Sequence, residues 1–368
     1  MKLWKKALAI GLTLALATGV VACGGEKAPE ASSDAQPSAA ATEEAGDAEK
    51  SEEPAAEEAQ SEDKPAESAA DAGSDQVFQI GIIQIVDHPA LNAANQGFQD
   101  RLAELGIQCE FDNKNAQGDK ANLKTISDGF VSGGKDLILA VSTDAAVSIA
   151  SSTDEIPILG TAITDYMSAN LVASNEAPGG NISGTSDMNP VKDQMDLLQQ
   201  LVPDAKTVGF IFSSAEPNSR VQVDAAEAEL DARGLKYEEV TVASVNDIQQ
   251  AAQSLVGKVD VIYTPTDNTL ASAIPSLVSV TEPAGLVVIG PEPGMVSNGC
   301  TATIGISYYK LGQQTADMAK RILIDGEKPA EMPIEFATSF DFYYNEESVE
   351  ALGLTLPEDL LARAAVEE

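Results

Sequence analysis

The residues NISGTSDMNP (181–190) divide the chain into two blocks of the same kind. Glycine, serine and proline punctuate this stretch, and no long apolar period runs through it. On either side, short apolar runs alternate with helical patterns. In the first block VFQIGIIQIV (77–86) is a continuous apolar run of strand length, suited to a parallel sheet covered on both faces. His88-Pro89 opens a helix reaching about Leu105, with Leu91, Ala94, Phe98, Leu102 and Leu105 on one face. Further strands are predicted over 107–111, 137–141 and 156–159, with helices over 119–131 and after SerThrAsp (142–144). The second block repeats the pattern. Helices are predicted over 191–201, from 213–219 to about Arg233, over 247–256 and over 268–281, and strands over 207–212, 235–242, 259–263 and 286–289. This is βαβ spacing, which implies mostly parallel sheets with right-handed crossovers. The stretch 181–190 then reads as a hinge between two α/β lobes with a small ligand held between them. A strand at 300–305, a helix at 308–324 and an alternating crossing over 331–342 close the chain.

The 368 residues carry a formal net charge of −36, with 3 Cys, 1 Trp and 1 His. The length suits about two domains. Such acidity is repelled by nucleic acid and by anionic lipid surfaces, so neither is an expected partner. Lys2, Lys5 and Lys6 precede an apolar stretch of 16 residues, Ala7 to Ala22, short for a membrane span. Its end, VVACGG (20–25), resembles the lipobox of bacterial lipoproteins. The resemblance implies a signal segment over 1–23 and a lipid anchor on Cys23. An ordinary cleaved signal peptide is the plainer reading. Residues 24–75 hold 16 acidic and 3 basic side chains and no aromatic residue, and are expected to stay disordered as a tether. A coil of that length averages roughly 40 Å end to end. Removing its −13 and the +3 of residues 1–23 leaves −26 for residues 76–368. Cys109 and Cys300 have no metal or redox spacing and read as free buried thiols.

Polar residues gather where the predicted strands end. In the first block these are Gln84 and His88, Ser142 and Thr143, then Thr164 and Asp165; in the second, Ser214, Asn218, Ser219, Asp267, Asn268 and Glu292. In open parallel sheets ligands bind at that edge. Ser142 or Thr143 alone would read as a helix N-cap, but recurrence at several strand ends points to a site. The lone His88 cannot build a histidine metal cluster, and helix-start hydrogen bonding is its plainer role.

Several words in order across 77–365 resemble the TrpX-type ABC transporter substrate-binding lipoproteins, which bind aromatic amino acids. They are HPAL (88–91), NAQGD (115–119), GTSDM (184–188), VPDAKTVG (202–209), TDNTLASA (266–273) and GISYYKLGQQTADMA (305–319). The resemblance implies a type I periplasmic-binding-protein fold: two doubly wound parallel-sheet lobes joined by three crossing strands. It divides the chain into 76–187 with 306–331 and 188–305 with 332–368, with crossings at Gly184 to Met188, near Gly305 and near Glu331. It also implies an ABC permease and ATPase in the membrane as partners. The pattern departs at Tyr166, where proline is common, and at Asn92, where aspartate is common; Tyr166 could wall the ligand or merely cover the sheet edge.

A free amino acid needs donors for its carboxylate and an anion for its ammonium. Thr143, or Ser214 to Ser219, with their helix N-termini, suit the first. Asp267, Asp165 and Glu292 are the candidates for the second, with Asp267 preferred because it opens the TDN turn; it reads equally as the N-cap of the helix that follows. Tyr166, Tyr308 and Pro89 offer walls for a ring. Asp187 is as suited to setting hinge geometry as to touching ligand. A monomer without cofactor, metal or catalytic residue is expected, since GxSxG, HExxH, a Walker lysine loop and GxGxxG after the first strand are missing. The rival readings are an enzyme using cleft carboxylates, a binder of another small polar solute such as a different amino acid, nucleoside or sugar for transport or chemosensing, and a DNA-binding regulator. The only Trp is Trp4, which disfavours a sugar, and the acidity disfavours DNA.

Overall fold

The computed structural model describes residues 76–365. The expected signal segment, Cys23 and the acidic tether lie outside the described residues. The chain runs through β1 (Phe78–Gln84), α1 (Pro89–Glu104), β2 (Cys109–Asn115), α2 (Lys120–Ser132), β3 (Leu137–Val141), α3 (Thr143–Ala150), β4 (Ile158–Ile163) and β5 (Ile182–Ser186). Then come α4 (Val191–Leu201), β6 (Thr207–Ser213), α5 (Pro217–Arg233), β7 (Lys236–Val242), α6 (Ile248–Leu255), β8 (Val261–Tyr263), α7 (Asn268–Ala271), α8 (Ile274–Thr281), β9 (Val287–Ile289), α9 (Pro293–Ser297) and β10 (Ala302–Gly305). The closing elements are α10 (Tyr308–Leu323), β11 (Glu335–Phe336), β12 (Asp341–Tyr344), α11 (Glu346–Ala351) and α12 (Glu358–Leu361).

Two six-stranded sheets result, ordered β11-β5-β4-β3-β1-β2 and β12-β10-β9-β8-β6-β7. Every neighbouring pair is parallel except β10 with β12. The apolar runs form strands because both faces of each sheet are covered by helices. In the second sheet Val208, Phe210 and Phe212 feed one core while Ile211 feeds the other, the two-residue alternation of a pleated strand. The expected helix over 268–281 is broken into α7 and α8, because Pro275 lacks the N–H that a continuous helix would need there. Among the described residues the two cysteines are free, Cys300 buried and Cys109 only half-buried.

The chain passes between the sheets three times: at 187–190, at 306–307 and at 337–340. Two of these differ from expectation. Gly184 lies inside β5, within the first sheet, so that crossing begins only after Ser186. The last crossing lies beyond Glu331, because Met332 and Ile334 are buried in the first core and Glu335 pairs with Thr185. The hydroxyl of Ser183 donates to Met332 O at 2.7 Å and holds that return.

Tyr166 resolves as sheet cover rather than a ligand wall. Its ring is 1% exposed and its hydroxyl donates to Thr185 O at 3.0 Å. Gly160 and Gly184 make room for it: a Cβ on either would come 2.5 Å from the Tyr166 hydroxyl oxygen.

Candidate functional site

Between the carboxyl edges of the two sheets the lobes close over a cavity with about 330 Å³ of space between atoms, its mouth included. Its polar lining comes from both lobes and the hinge: His88 and Thr164, Asp187 and Tyr308, then Asn218, Thr266, Asp267, Asn268 and Glu292. Its apolar lining is Ala90, Leu91, Ala162, Ala271, Pro291 and Met295.

Local folding explains each position. The start of α1 carries His88, Ala90 and Leu91 to the sheet edge; Pro89 sits in the first turn, where its missing N–H costs nothing. A register shift between Gly160 and Ile163 turns Ala162 into the left-handed region (φ 55°) and towards the cavity. Such a conformation costs an L-residue about 1–3 kcal/mol and gathers at functional sites.

Six of the expected site residues line the cavity: His88, Thr164, Asn218, Asp267, Asn268 and Glu292. The other six serve the scaffold around it. Gln84 ties β1 to α1 through Asn92 Oδ1 (2.7 Å). Ser142 caps α3, accepting from Ala145 N at 3.3 Å, and Thr143 is buried in the first turn of that helix. Asp165 accepts the N–H groups of Met167 and Ser168. Ser214 is exposed and donates to Val242 O, and Ser219 donates to Asp267 Oδ2 at 2.8 Å. At the α3 N-terminus, offered for a carboxylate, Ser142 takes up one N–H, that of Ala145.

Three carboxylates face the cavity, each at most 3% exposed, and among the described residues no lysine or arginine lines it. Asp267 caps α7 through Leu270 N (2.9 Å), and its other oxygen accepts from Ser213 N (2.6 Å) and Ser219 Oγ. Burial and the neighbouring Glu216 still push it up to about 8. Glu292 caps α9 through Gly294 N (2.5 Å) and Met295 N (2.7 Å), and burial, with Asp187 nearby, pushes it up to about 7. Asp187, at the first crossing, accepts two side-chain hydroxyls at its carboxylate: Thr164 Oγ1 at 3.0 Å and Tyr308 OH at 2.7 Å. Burial raises it as well, against the pull of those two hydroxyls and of its own backbone N–H. Among the described residues no group of three His, Cys, Asp or Glu is arranged to hold a metal ion.

A pH dependence follows. In the ligand-free protein the folded values of Asp267 and Glu292 lie above the unfolded ones near about 4. As pH falls through about 8 and about 7, the folded state takes up protons that the unfolded chain does not, so stability rises. Asp112 and Asp196, held low by Lys114 and Lys192 respectively, titrate below this window and do not oppose it, whereas His88, lowered by burial, opposes it below its ordinary value of 6.5, so the gain is read above that pH. The ligand-free protein is expected to melt at higher temperature near neutral than at mildly alkaline pH, measured by calorimetry. A profile that is flat, or that rises with pH, would contradict the buried-acid reading.

Contacts across the cleft hold the lobes closed. His88 Nε2 lies 3.1 Å from Asn268 Oδ1, and Lys120 Nζ donates both to Asp144 in its own lobe and to Ala215 O in the other at 3.0 Å. Sequence reasoning missed the lining roles of Thr266, Pro291, Met295 and Ala162, which follow from a turn, a short helix and a bulge without a local pattern of their own.

A family model described as ABC transporter substrate binding protein matches residues 79–367. A tyrosine-binding protein of Clostridioides difficile is 37% identical over 279 residues, 75% of this chain and 81% of that protein. Among solved structures, an ABC domain from Streptococcus pneumoniae in complex with L-Trp is 37% identical, with a TM-score of 0.76, covering 78% of this chain and 99% of that one. A ligand-free, open substrate-binding protein with adhesive properties from Clostridium difficile is 40% identical, covering 77% and 97%, but its TM-score is 0.62. The poorer superposition comes with the higher identity. The fold is that of a type I periplasmic binding protein, and the chain belongs to the ABC transporter substrate-binding protein family.

Proposed function

We propose that this protein captures a free aromatic amino acid for an ABC importer by closing its two lobes around it. The observation that carries the reading is the cavity: three buried carboxylates without a basic partner, beside a wall of Leu91, Ala271, Met295 and Tyr308. An ammonium group offsets the buried charge, and a flat apolar side chain fills the wall. Tyrosine and tryptophan in the names of the relatives support the same ligand class. Of the three carboxylates, Asp187 takes the ammonium. The oxygens of Asp267 and Glu292 are held by backbone N–H groups, whereas those of Asp187 hold one hydroxyl each. This replaces the preference for Asp267 reached from the sequence.

Closure is a population shift. A ligand that touches His88 in one lobe, Asn218 in the other and Asp187 at the hinge makes its full set of contacts only when the lobes meet. The proposal includes an extracytoplasmic location with a lipid on Cys23 and residues 24–75 as the tether. Replacing Cys23 with serine is then expected to release the protein from the membrane fraction; retention would refute the anchor. The ligand is tested by mass spectrometry of small molecules co-purified with residues 76–368, followed by calorimetry against the twenty amino acids. Failure of tryptophan, tyrosine and phenylalanine alike to bind at micromolar concentration would sink the reading.

A further inference from the structure

We propose that His88 is a specificity residue: its Nδ1 accepts a hydrogen bond from a donor on the ligand's side chain, the phenol O–H of tyrosine or the indole N–H of tryptophan. The proposal rests on the aromatic amino acid reading above and goes beyond it by excluding phenylalanine as a good ligand.

The protein fixes the tautomer of His88 from across the cleft. Glu216, 6% exposed, accepts the N–H of Asn268 at 2.8 Å and of Thr269 at 2.9 Å. These backbone groups can only donate, so both Glu216 oxygens are acceptors. The Asn268 side-chain group facing Glu216 at 2.8 Å must therefore be its NH2. Its oxygen is left for His88, and the ring nitrogen 3.1 Å away, Nε2, must carry the proton. Burial lowers the basicity of His88, with Glu216 and Asp87 the charged groups opposing that. In the neutral ring Nδ1 is then a lone-pair acceptor.

That acceptor has no partner among the described residues, although His88 is only 8% exposed and lines the cavity. At the start of a helix a side chain normally accepts a first-turn N–H, yet His88 makes no capping bond. A buried acceptor without a donor is costly, and a ligand that supplies one relieves the cost. The ligand's ammonium belongs elsewhere, with Asp187 at the hinge. Next to His88 stand Ala90 and Leu91, apolar lining suited to the ring of the ligand.

Tyrosine and phenylalanine differ by one oxygen, which makes the test direct. Calorimetry on the wild-type protein is expected to show tyrosine binding about 5- to 100-fold more tightly than phenylalanine or O-methyltyrosine. N-methylation of the tryptophan indole is expected to cost a similar factor. His88→Leu brings tyrosine and phenylalanine to within about twofold by weakening tyrosine. Because His88 is the only histidine, nitrogen NMR of ring-labelled protein reports it without assignment. At neutral pH the ring should show the Nε2–H tautomer, and its unprotonated nitrogen should shift upfield with tyrosine or tryptophan but not with phenylalanine. Wild-type protein that binds tyrosine and phenylalanine within about twofold, or a ring protonated at Nδ1, overturns the proposal while leaving the aromatic amino acid reading intact. If no aromatic amino acid binds, both fall. The wild-type measurements decide even if His88→Leu fails to fold.

Discussion

Asp187→Asn is expected to weaken amino-acid binding by about two to three orders of magnitude while leaving the ligand-free protein as stable as wild type or more so. The two halves of this result have one cause. With the lobes closed and no ligand between them, the Asp187 carboxylate is 1% exposed and its side-chain partners are two hydroxyls, so its charge is poorly solvated and its pKa is raised. An asparagine of the same shape removes that cost. Its oxygen still accepts from Tyr308, and its NH2 donates to Thr164, whose hydroxyl can turn to accept. With ligand bound, the same exchange deletes the counter-charge of a desolvated ammonium, which is far costlier than losing a surface pair. Calorimetric titration and a thermal melt check the two halves. A loss of affinity under about tenfold would remove Asp187 from the ammonium role, and a large drop in ligand-free stability would make it a structural hinge residue instead.

Local patterns carried most of the fold and only part of the site. The apolar runs of β1, β3 and β6 are long enough to declare buried parallel strands. Strand β5 is hidden because its sequence, ISGTS, looks like a loop. Its polar side chains are satisfied far along the chain: Ser183 by Met332 O and Thr185 by the Thr315 hydroxyl, 130 residues away. The site divides the same way. Residues such as His88 and Asn268 stand at strand ends, where the βαβ pattern alone predicts a ligand edge. Asp187 meets Tyr308, 121 residues later, and no local signal announces that pair. Conversely, Ser142 and Asp165 look like site residues locally because the same short side chains that bind ligands also cap helices and turns.

The crossing of α1 and α10 gives the second large effect, and a sharp one because two opposing terms can be compared. Alanine is favoured over glycine inside a helix by about 1 kcal/mol. At Gly129 in α2 a Cβ meets nothing within 4 Å, so Gly129→Ala is expected to stabilise the protein by up to about that amount. At Gly312 a Cβ would run into the Ala94 carbonyl, and at Gly97 into the Tyr309 carbonyl. Both obstacles are backbone, so only a shift of a whole helix can make room, and such overpacking costs about 1–3 kcal/mol or more. Gly312→Ala and Gly97→Ala are each expected to destabilise despite their better helix propensity. The two belong to one contact, so once the helices have parted for the first Cβ the second finds space. The double variant is therefore expected to lose less than the sum. Binding should suffer with stability, because α1 delivers His88 and α10 delivers Tyr308 to the lining of the same cavity. Parting the two helices moves those side chains relative to each other. Denaturant unfolding of the three crossing variants beside Gly129→Ala, with tyrosine titrations of each, checks the whole set. Equal stability for Gly312→Ala and Gly129→Ala would show that the crossing is looser than its geometry implies.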